Sequence, residues 1–293
     1  MNSEVKTTIE TIEHNSGYSK STGWPCLFFL PFIFLISCGE PDKKTEENIV
    51  ETKTGAPAIT FSVTDTLPHD TLSFTEGFLF NNGKLFESTG SPDNVPYTRS
   101  VFGDVDLNTG KINVKAELDR NEFFGEGILF LNDKIYQVTY EGQIGFVYDA
   151  KTFKRLGRFT YPNKEGWGLT TDGKYMIMSD GTNTLSYLDP ITFKTVKTLN
   201  LTENGFAADQ VNEIEYINGF IYGNVWMTNF IVKIDPKDGK ILGKMDLTPL
   251  VEAEKLKHPR LGELNGIAYD SISDKILVTG KLWPSTYEIK FPH

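Results

Sequence analysis

The sequence predicts an all-β protein folded as a five-bladed β-propeller. A short motif, Glu-Gly-Phe or a variant of it, recurs five times, at residues 76–80, 126–130, 167–169, 212–214 and 265–267. The intervals from Gly77 to Gly127, Gly168, Glu213 and Gly266 are 50, 41, 45 and 53 residues. A period of this length with several short strands per repeat is typical of propeller blades. No strong helical period interrupts it.

Turn signals divide each repeat into short strands. The first turns lie at residues 82–83, 132–133, 172–173, 218–219 and 273–274, and they are rich in Asn, Asp and Gly. Later turns centred on Asp lie at residues 106–110, 149–152, 189–192 and 235–239. This punctuation predicts four strands per repeat. A two-domain β-sandwich is the rival architecture, but it does not require equivalent motifs five times over.

The last repeat is too short for a complete blade. Residues 265–291 contain only three apolar stretches that read as strands. Residues 59–67 alternate as a strand should, and we expect them to supply the missing outer strand. Pairing the two ends of the chain would close the ring with a strand from the N-terminal side and cover an exposed edge.

Charge and cysteine content exclude several function classes. The chain has 293 residues and a formal net charge of −10, which argues against a phosphate-binding surface and therefore against nucleic acid as a partner. The two cysteines are Cys26 and Cys38, and the four histidines are scattered, so no zinc site with close ligand spacing is predicted. We expect no metal, no cofactor and a monomer.

The N-terminal region has the pattern of an export signal. Residues 27–36 are apolar but too few to span a bilayer comfortably, and residues 35–38, Leu-Ile-Ser-Cys, look like a bacterial lipobox. We therefore expect a signal peptide at 1–38, a lipid on Cys38, a flexible tether at 39–57 and a propeller at 58–293, held at the cell envelope. The alternative is that the apolar run is a buried segment of a cytosolic protein.

The repeat register predicts a pocket at one end of the propeller. Equivalent positions in the five blades lie at equal height around the axis. The first strands place these residues in one ring: Glu76, Glu126, Trp167, Asn212 and Asn265. The ends of the second strands form another ring: Gly90, Tyr140, Gly181, Trp226 and Lys281. Carboxylates, amides, an ammonium and aromatic walls together are typical of a small-ligand site. The alternative is that these side chains form hydrogen bonds with backbone groups at the strand ends and pack one blade against the next.

Several stretches resemble the plant-type glutaminyl-peptide cyclotransferases and their bacterial relatives. The matching residues are 68–70, 74–77, 87–90, 124–127, 166–173, 212–216, 224–226 and 279–284. The most specific are Trp-Gly-Leu at 167–169 and Gly-Lys-Leu-Trp-Pro at 280–284. The resemblance implies that an N-terminal glutamine of a peptide is closed to pyroglutamate with release of ammonia, without a metal.

The resemblance also implies roles for single residues. Its catalytic groups fall on Glu126, Asn212 and Lys281. Its pocket aromatics fall on Phe74, Trp167 and Trp226. The rings of equivalent positions add Glu76, Tyr140 and Asn265 to the residues expected to hold the substrate. Two positions depart from the family pattern, because relatives usually have Gln at position 76 and often Trp at position 140. The first departure adds a carboxylate beside the pocket.

Two other functions remain open from the residues alone. A propeller hydrolase or lactonase would hold a calcium ion in the channel, and Glu76, Glu126, Asn212 and Asn265 offer oxygen ligands for one. A non-enzymatic binding propeller at the cell surface is the second, since a fold does not fix a function.

Overall fold

The computed structural model describes residues 55–293. They form five antiparallel sheets of four strands each, which confirms the predicted five-bladed propeller. The predicted signal peptide, the lipidation site at Cys38 and nearly all of the tether lie outside the described residues. Within residues 55–293, no helix is long and apolar enough to cross a membrane.

The strands follow the chain in order, four to a blade. The first is β1 (Ser62–Pro68), and blade 1 follows with β2 (Phe74–Asn81), β3 (Lys84–Gly90), β4 (Val101–Val105) and β5 (Ile112–Glu117). Blade 2 comprises β6 (Gly125–Leu131), β7 (Lys134–Thr139), β8 (Ile144–Asp149) and β9 (Arg155–Thr160). Blade 3 comprises β10 (Leu169–Thr171), β11 (Met176–Met178), β12 (Thr184–Leu188) and β13 (Thr195–Asn200).

A small hairpin and a helix are inserted in the second half. The hairpin is β14 (Thr202–Glu203) and β15 (Phe206–Ala207). Blade 4 comprises β16 (Val211–Ile217), β17 (Phe220–Val225), β18 (Phe230–Ile234) and β19 (Ile241–Asp246). Then come α1 (Thr248–Lys257), β20 (Leu264–Asp270), β21 (Lys275–Gly280) and β22 (Ser285–Lys290).

The ring closes as the short last repeat predicts. The order of the fifth sheet is β1-β22-β21-β20, so β1 supplies the outermost strand of blade 5. The pairing is antiparallel and runs from Ser62 opposite Lys290 to Pro68 opposite Ser285. The strand begins three residues later than the predicted 59–67, because Ile59 instead donates its N–H to the carbonyl oxygen of Lys244 at 2.8 Å.

The core lies between the blades. One cluster of buried side chains joins blades 4 and 5 and includes Trp283, Tyr222, Met245 and Ile276. Another joins blades 2 and 3 around Tyr136 and Met176. The helix α1 buries Leu250 and Val251 against the first cluster, although its apolar residues do not form a single face, since Leu256 is exposed.

Bulges and glycines bring the innermost strands close to the axis. The strands β2, β6, β16 and β20 each have a register shift near the recurring motif, and a bulge of this kind turns a side chain away from the regular pleat. A Cβ on Gly168 would lie 2.2 Å from the carbonyl oxygen of Asn212, so only glycine permits this approach of blade 3 to blade 4.

Candidate active site

A cavity of about 750 Å³ opens where the innermost strands begin. Glu76, Glu126 and Asn212 each stand near the first residue of an innermost strand, so the bulges point three polar side chains at one space. All but one of the predicted site residues line this cavity: Phe74, Glu76, Glu126, Tyr140, Trp167, Asn212, Trp226 and Lys281.

Asn265 is the predicted site residue that the cavity does not include. Its side chain is 1% exposed, and its amide nitrogen donates to Oε2 of Glu76 at 3.1 Å and to the carbonyl oxygen of Thr75 at 2.9 Å. It therefore lies behind Glu76 and orients that carboxylate.

Glu76 has both carboxylate oxygens engaged. Oε1 lies 2.8 Å from the ammonium of Lys281, and Oε2 accepts the hydrogen bond from Asn265. Burial raises the pKa of Glu76 to about 7, although the adjacent Lys281 works in the opposite direction. This carboxyl group gains or loses its proton near neutral pH.

Glu126 has one carboxylate oxygen free. The residue is 5% exposed, and its buried Oε2 has no hydrogen-bond partner within the described chain. Burial raises the pKa of Glu126 well above its ordinary value, the charge of Glu76 raises it further, and Lys281 partly offsets both. A carboxylate of raised basicity with an unused oxygen is suited to accept a proton from a bound molecule.

Lys281 remains positively charged in its buried position. Burial lowers its pKa, but the carboxylates of Glu76 and Glu126 outweigh burial and raise the pKa overall. The ammonium lies 4.6 Å from the centre of the Phe74 ring. The turn that carries it is fixed by the N–H of Leu282, which donates to the carbonyl oxygen of Ser73 at 2.7 Å.

Asn212 offers an unused amide to the cavity. It is 4% exposed, and its side-chain Oδ1 has no hydrogen-bond partner among the described residues. Its backbone oxygen accepts a hydrogen bond from the Ser179 hydroxyl at 2.6 Å, which fixes the strand at this point. The amide is therefore free to bind a ligand.

Aromatic rings form part of the cavity wall. Trp167 and Trp226 meet edge to face with ring centres 5.8 Å apart. Trp167 is oriented by its indole N–H, which donates to Glu165 at 2.9 Å. Gly181 leaves space for the indole of Trp167, since a Cβ at position 181 would lie 2.6 Å from it.

The repeat pattern did not identify every residue of the site. Phe124 lies between Phe74 and Tyr140, at 6.1 and 6.0 Å between ring centres. A Cβ on Gly90 would lie 2.1 Å from Phe124, so the ring occupies the space that a side chain at position 90 would need. The glycine in the second ring of positions was therefore the one sequence feature that pointed to an aromatic neighbour. Further lining residues that we did not predict are Arg120, Glu165, Asp180, Gln210 and Glu263.

The chemistry available here is proton transfer in a partly enclosed pocket. One carboxyl group is held by a cation and an amide, the other has a free oxygen, and aromatic rings limit the access of water. Among residues 55–293 there is no group of three or more His, Cys, Asp or Glu side chains arranged to hold a metal ion.

Comparisons with known proteins agree on one family. Residues 33–291 match the sequence profile of the family described as glutamine cyclotransferase. The chain is similar to a glutaminyl-peptide cyclotransferase of Arabidopsis thaliana, with 42% identity over 225 residues, which cover 76% of this chain and 68% of that one. It is also similar to the crystal structure of Myxococcus xanthus glutaminyl cyclase, with a TM-score of 0.73 and 29% identity, over 80% of this chain and 98% of that one.

Proposed function

Because this chain belongs to the glutamine cyclotransferase family and is a glutaminyl-peptide cyclotransferase, we propose that Glu126 is the residue that transfers protons in its reaction. The α-amine of an N-terminal glutamine attacks the γ-carboxamide carbon of the same residue. A carbon–nitrogen bond forms, the ring closes, and ammonia leaves. One proton must move from the attacking amine to the departing nitrogen.

The single observation that carries this assignment is the free oxygen of Glu126. Its Oε2 is buried at the cavity and has no partner within the described residues, whereas both oxygens of Glu76 are engaged. One carboxylate that accepts a proton from the amine can donate the same proton to the leaving nitrogen, so that no exchange of the proton with bulk water is needed. Burial and the neighbouring charge of Glu76 raise the pKa of Glu126, which makes its carboxylate a stronger base than an ordinary glutamate.

We propose that Lys281 stabilises the negative charge that develops on the oxygen of the substrate's carboxamide, and that Asn212 binds the nitrogen of the same carboxamide. Attack on the carboxamide places negative charge on that oxygen, and a preorganised donor or cation lowers the barrier. The ammonium of Lys281 is held beside both carboxyl groups by its contact with Glu76. The amide of Asn212 lines the same cavity and has an unused oxygen, which can accept a hydrogen bond from the substrate's amide nitrogen.

We propose that the aromatic residues of the cavity wall position the glutamine side chain of the substrate. The reaction is intramolecular, so holding the glutamine side chain curled toward its own amine contributes to the rate by orienting the reacting groups. Phe74, Trp167 and Trp226 enclose the space in which that curled side chain would lie. They also exclude water, which would otherwise weaken the electrostatic interactions inside.

The assignment is tested with the Glu126→Gln variant. Glutamine keeps the size of the side chain but does not shuttle a proton, so we expect kcat for a Gln-initiated peptide to fall about 100- to 10,000-fold. KM and the melting temperature should change little, because the shape of the cavity is kept. A variant with nearly normal kcat would overturn the assignment.

We further propose that the enzyme is exported and anchored by a lipid on Cys38, as a monomer. What supports the anchor is the apolar run at 27–36 followed by Leu-Ile-Ser-Cys. Cells fed with labelled palmitate should label the wild-type chain and not Cys38→Ser. Equal labelling of both chains would contradict the anchor and leave the catalytic proposal untouched.

A further inference from the structure

We propose that Glu213, which does not line the active-site cavity, is the positioning residue that holds the strands of Glu76, Asn212 and Asn265 in their catalytic arrangement. The inference rests on the function proposed above. It starts from an exception in the repeat. Four blades have glycine at this position, Gly77, Gly127, Gly168 and Gly266, and only blade 4 has a side chain.

The four glycines have a clear physical reason. A Cβ on Gly77 would lie 2.9 Å from the backbone nitrogen of Ile128, and a Cβ on Gly127 would lie 2.5 Å from that of Leu169. Neighbouring innermost strands therefore meet with almost no space between their backbones. A glutamate at the same position of blade 4 needs a place for its side chain, and the channel axis provides it.

The innermost strands also need partners for their N–H groups. Each is the edge strand of its sheet, so one edge pairs within the blade and the other faces the axis. Backbone N–H groups that are buried without an acceptor destabilise a fold. On strands β2 and β20 these include the N–H groups of Phe78 and Ile267.

Glu213 accepts from both of them. The N–H of Phe78 donates to its Oε1 at 3.3 Å, and the N–H of Ile267 donates to its Oε2 at 2.9 Å. Glu213 is 2% exposed, and these two bonds join blade 4 to blade 5 and, beyond it, to blade 1. One carboxylate thus links three innermost strands at the axis.

Each linked strand carries a polar residue of the site next to the contact. Phe78 follows Glu76 by two positions on β2, Ile267 follows Asn265 by two on β20, and Asn212 directly precedes Glu213 on β16. Register shifts lie at these points in all three strands, so the bulges that aim the site residues adjoin the bonds to Glu213. Loosening those bonds would let the three side chains move relative to one another.

Glu215 offers a matched control on the same strand. Its Oε1 accepts from the backbone N–H of Tyr269 at 3.1 Å, and its Oε2 accepts from the Thr170 hydroxyl at 3.2 Å. It too joins blade 4 to blade 5 and is buried from water on most sides. It lines a separate cavity of about 400 Å³, together with Thr170 and Tyr269, and not the active-site cavity.

The experiment compares Glu213→Gln with Glu215→Gln at a temperature where both proteins are fully folded by circular dichroism. Each substitution replaces one acceptor oxygen by an amide donor, so both should lower the melting temperature. Displacing catalytic groups by about an ångström costs up to about 100-fold in rate, so we expect kcat of Glu213→Gln to fall about 10- to 100-fold. KM should change less than about threefold, since the aromatic wall is kept.

Glu215→Gln should retain kcat within about twofold, because its partners Tyr269 and Thr170 lie farther along the chain from the site residues and line a separate cavity. Equal kcat losses in the two variants, or no loss in Glu213→Gln, would overturn the inference. If Glu213→Gln does not fold, Glu213→Asp, which keeps the carboxylate on a shorter side chain, takes its place with the same criterion.

Glu126→Gln is measured alongside to separate the two proposals. If it loses activity while the Glu213 and Glu215 variants behave alike, only the positioning role fails. If Glu126→Gln remains active, the assignment of the site itself fails.

Discussion

Glu76 and Glu126 occupy equivalent positions in adjacent blades, yet their surroundings differ in the property that matters for chemistry. Glu76 is held on one oxygen by Lys281 at 2.8 Å and on the other by Asn265 at 3.1 Å. Glu126 keeps its buried Oε2 without a partner in the described part of the chain. The same residue at the same place in two repeats thus has both carboxylate oxygens bound in blade 1 and one oxygen available for proton transfer in blade 2.

The repeat determines where each of the two side chains begins, and the neighbouring blades determine which contacts it makes. Blade 1 lies beside blade 5, which supplies Lys281 and Asn265 to Glu76. Blade 2 lies beside blade 3, whose motif has Trp167 at the equivalent position and offers Glu126 no ammonium of its own.

Removing the cation should have the largest effect among changes outside Glu126. Lys281→Met keeps the length of the side chain but leaves two buried carboxyl groups without the positive charge, and it removes a stabiliser of the developing oxyanion. Loss of one such group typically costs about 100- to 1,000-fold in kcat, and we expect a fall of that order.

The matched control for this variant is Lys275→Met. Lys275 pairs with Glu288 at 2.6 Å in the same blade and lines no part of the active-site cavity. Its kcat should equal that of the wild type. Steady-state ammonia release measures both variants, and equal losses would show that blade 5 is being destabilised instead of the site.

Replacing Glu76 should change the pH dependence more than the rate. Glu76→Gln removes a negative charge that raises the pKa of Glu126, so the pKa of Glu126 should fall. Because Glu126 must be ionised to accept a proton, the acid limb of kcat/KM should move to lower pH. We expect kcat at pH 8 to stay within about tenfold of the wild type.

Glu165→Gln provides a graded comparison for that pH shift. Glu165 also raises the pKa of Glu126, but less than Glu76 does. Its acid limb should therefore move in the same direction by a smaller amount. A limb that moves upward in either variant would contradict the view that these charges act on Glu126.

Stability should fall as the pH rises from 5 to 8. Burial raises the pKa of Glu215 from its ordinary value of 4.5 to about 8, and that of Glu76 from 4.5 to about 7. Between pH 4.5 and the raised pKa of each group, the folded protein binds more protons than the unfolded chain. The stabilisation from these protonated groups is therefore complete below pH 4.5 and is lost as the pH rises through their pKa values in the folded protein.

The melting temperature across this range measures the effect. In Glu215→Gln the decline above pH 7 should be shallower, because the titrating group is gone. A melting temperature that rises from pH 5 to pH 8 in the wild type would contradict the direction of these pKa shifts.

Removing metal ions should have no effect on activity. Lys281 already provides a positive charge in contact with Glu76, and the amide nitrogen of Asn265, which is not a metal ligand, faces the same carboxylate. Dialysis against EDTA should therefore leave kcat unchanged. Loss of activity that calcium restores would favour a calcium-bound site in this channel.

Much of the fold and part of the site could be predicted from the sequence because propeller repeats translate directly into position. The spacing of the motif located Glu76, Glu126 and Asn212 at one end of the axis, and the short last repeat located the closing strand. The helix α1 was not predicted because its apolar residues do not lie on one face: Leu250 and Val251 are buried, whereas Leu256 is exposed.

The rest depends on contacts that a repeat does not encode. Asn265 has the same register as Asn212, but Glu76 covers it, so it lies outside the cavity. Glu165 and Phe124 come from segments between blades and reach the cavity through the particular packing of Trp167 and Gly90. Glu213 is part of the recurring motif, but its hydrogen bonds to Phe78 and Ile267 depend on the distances between blades, which the sequence does not give.

The two equivalent glutamates can be compared directly in one experiment. Glu126→Gln and Glu76→Gln are incubated at equal concentration, in separate reactions, with the same Gln-initiated peptide under single-turnover conditions. Mass spectrometry follows the loss of one ammonia from the peptide. We expect a rate at least about 100-fold lower for Glu126→Gln than for Glu76→Gln. A slow Glu76→Gln beside a nearly normal Glu126→Gln would place the proton carrier on blade 1 and contradict the assignment of Glu126.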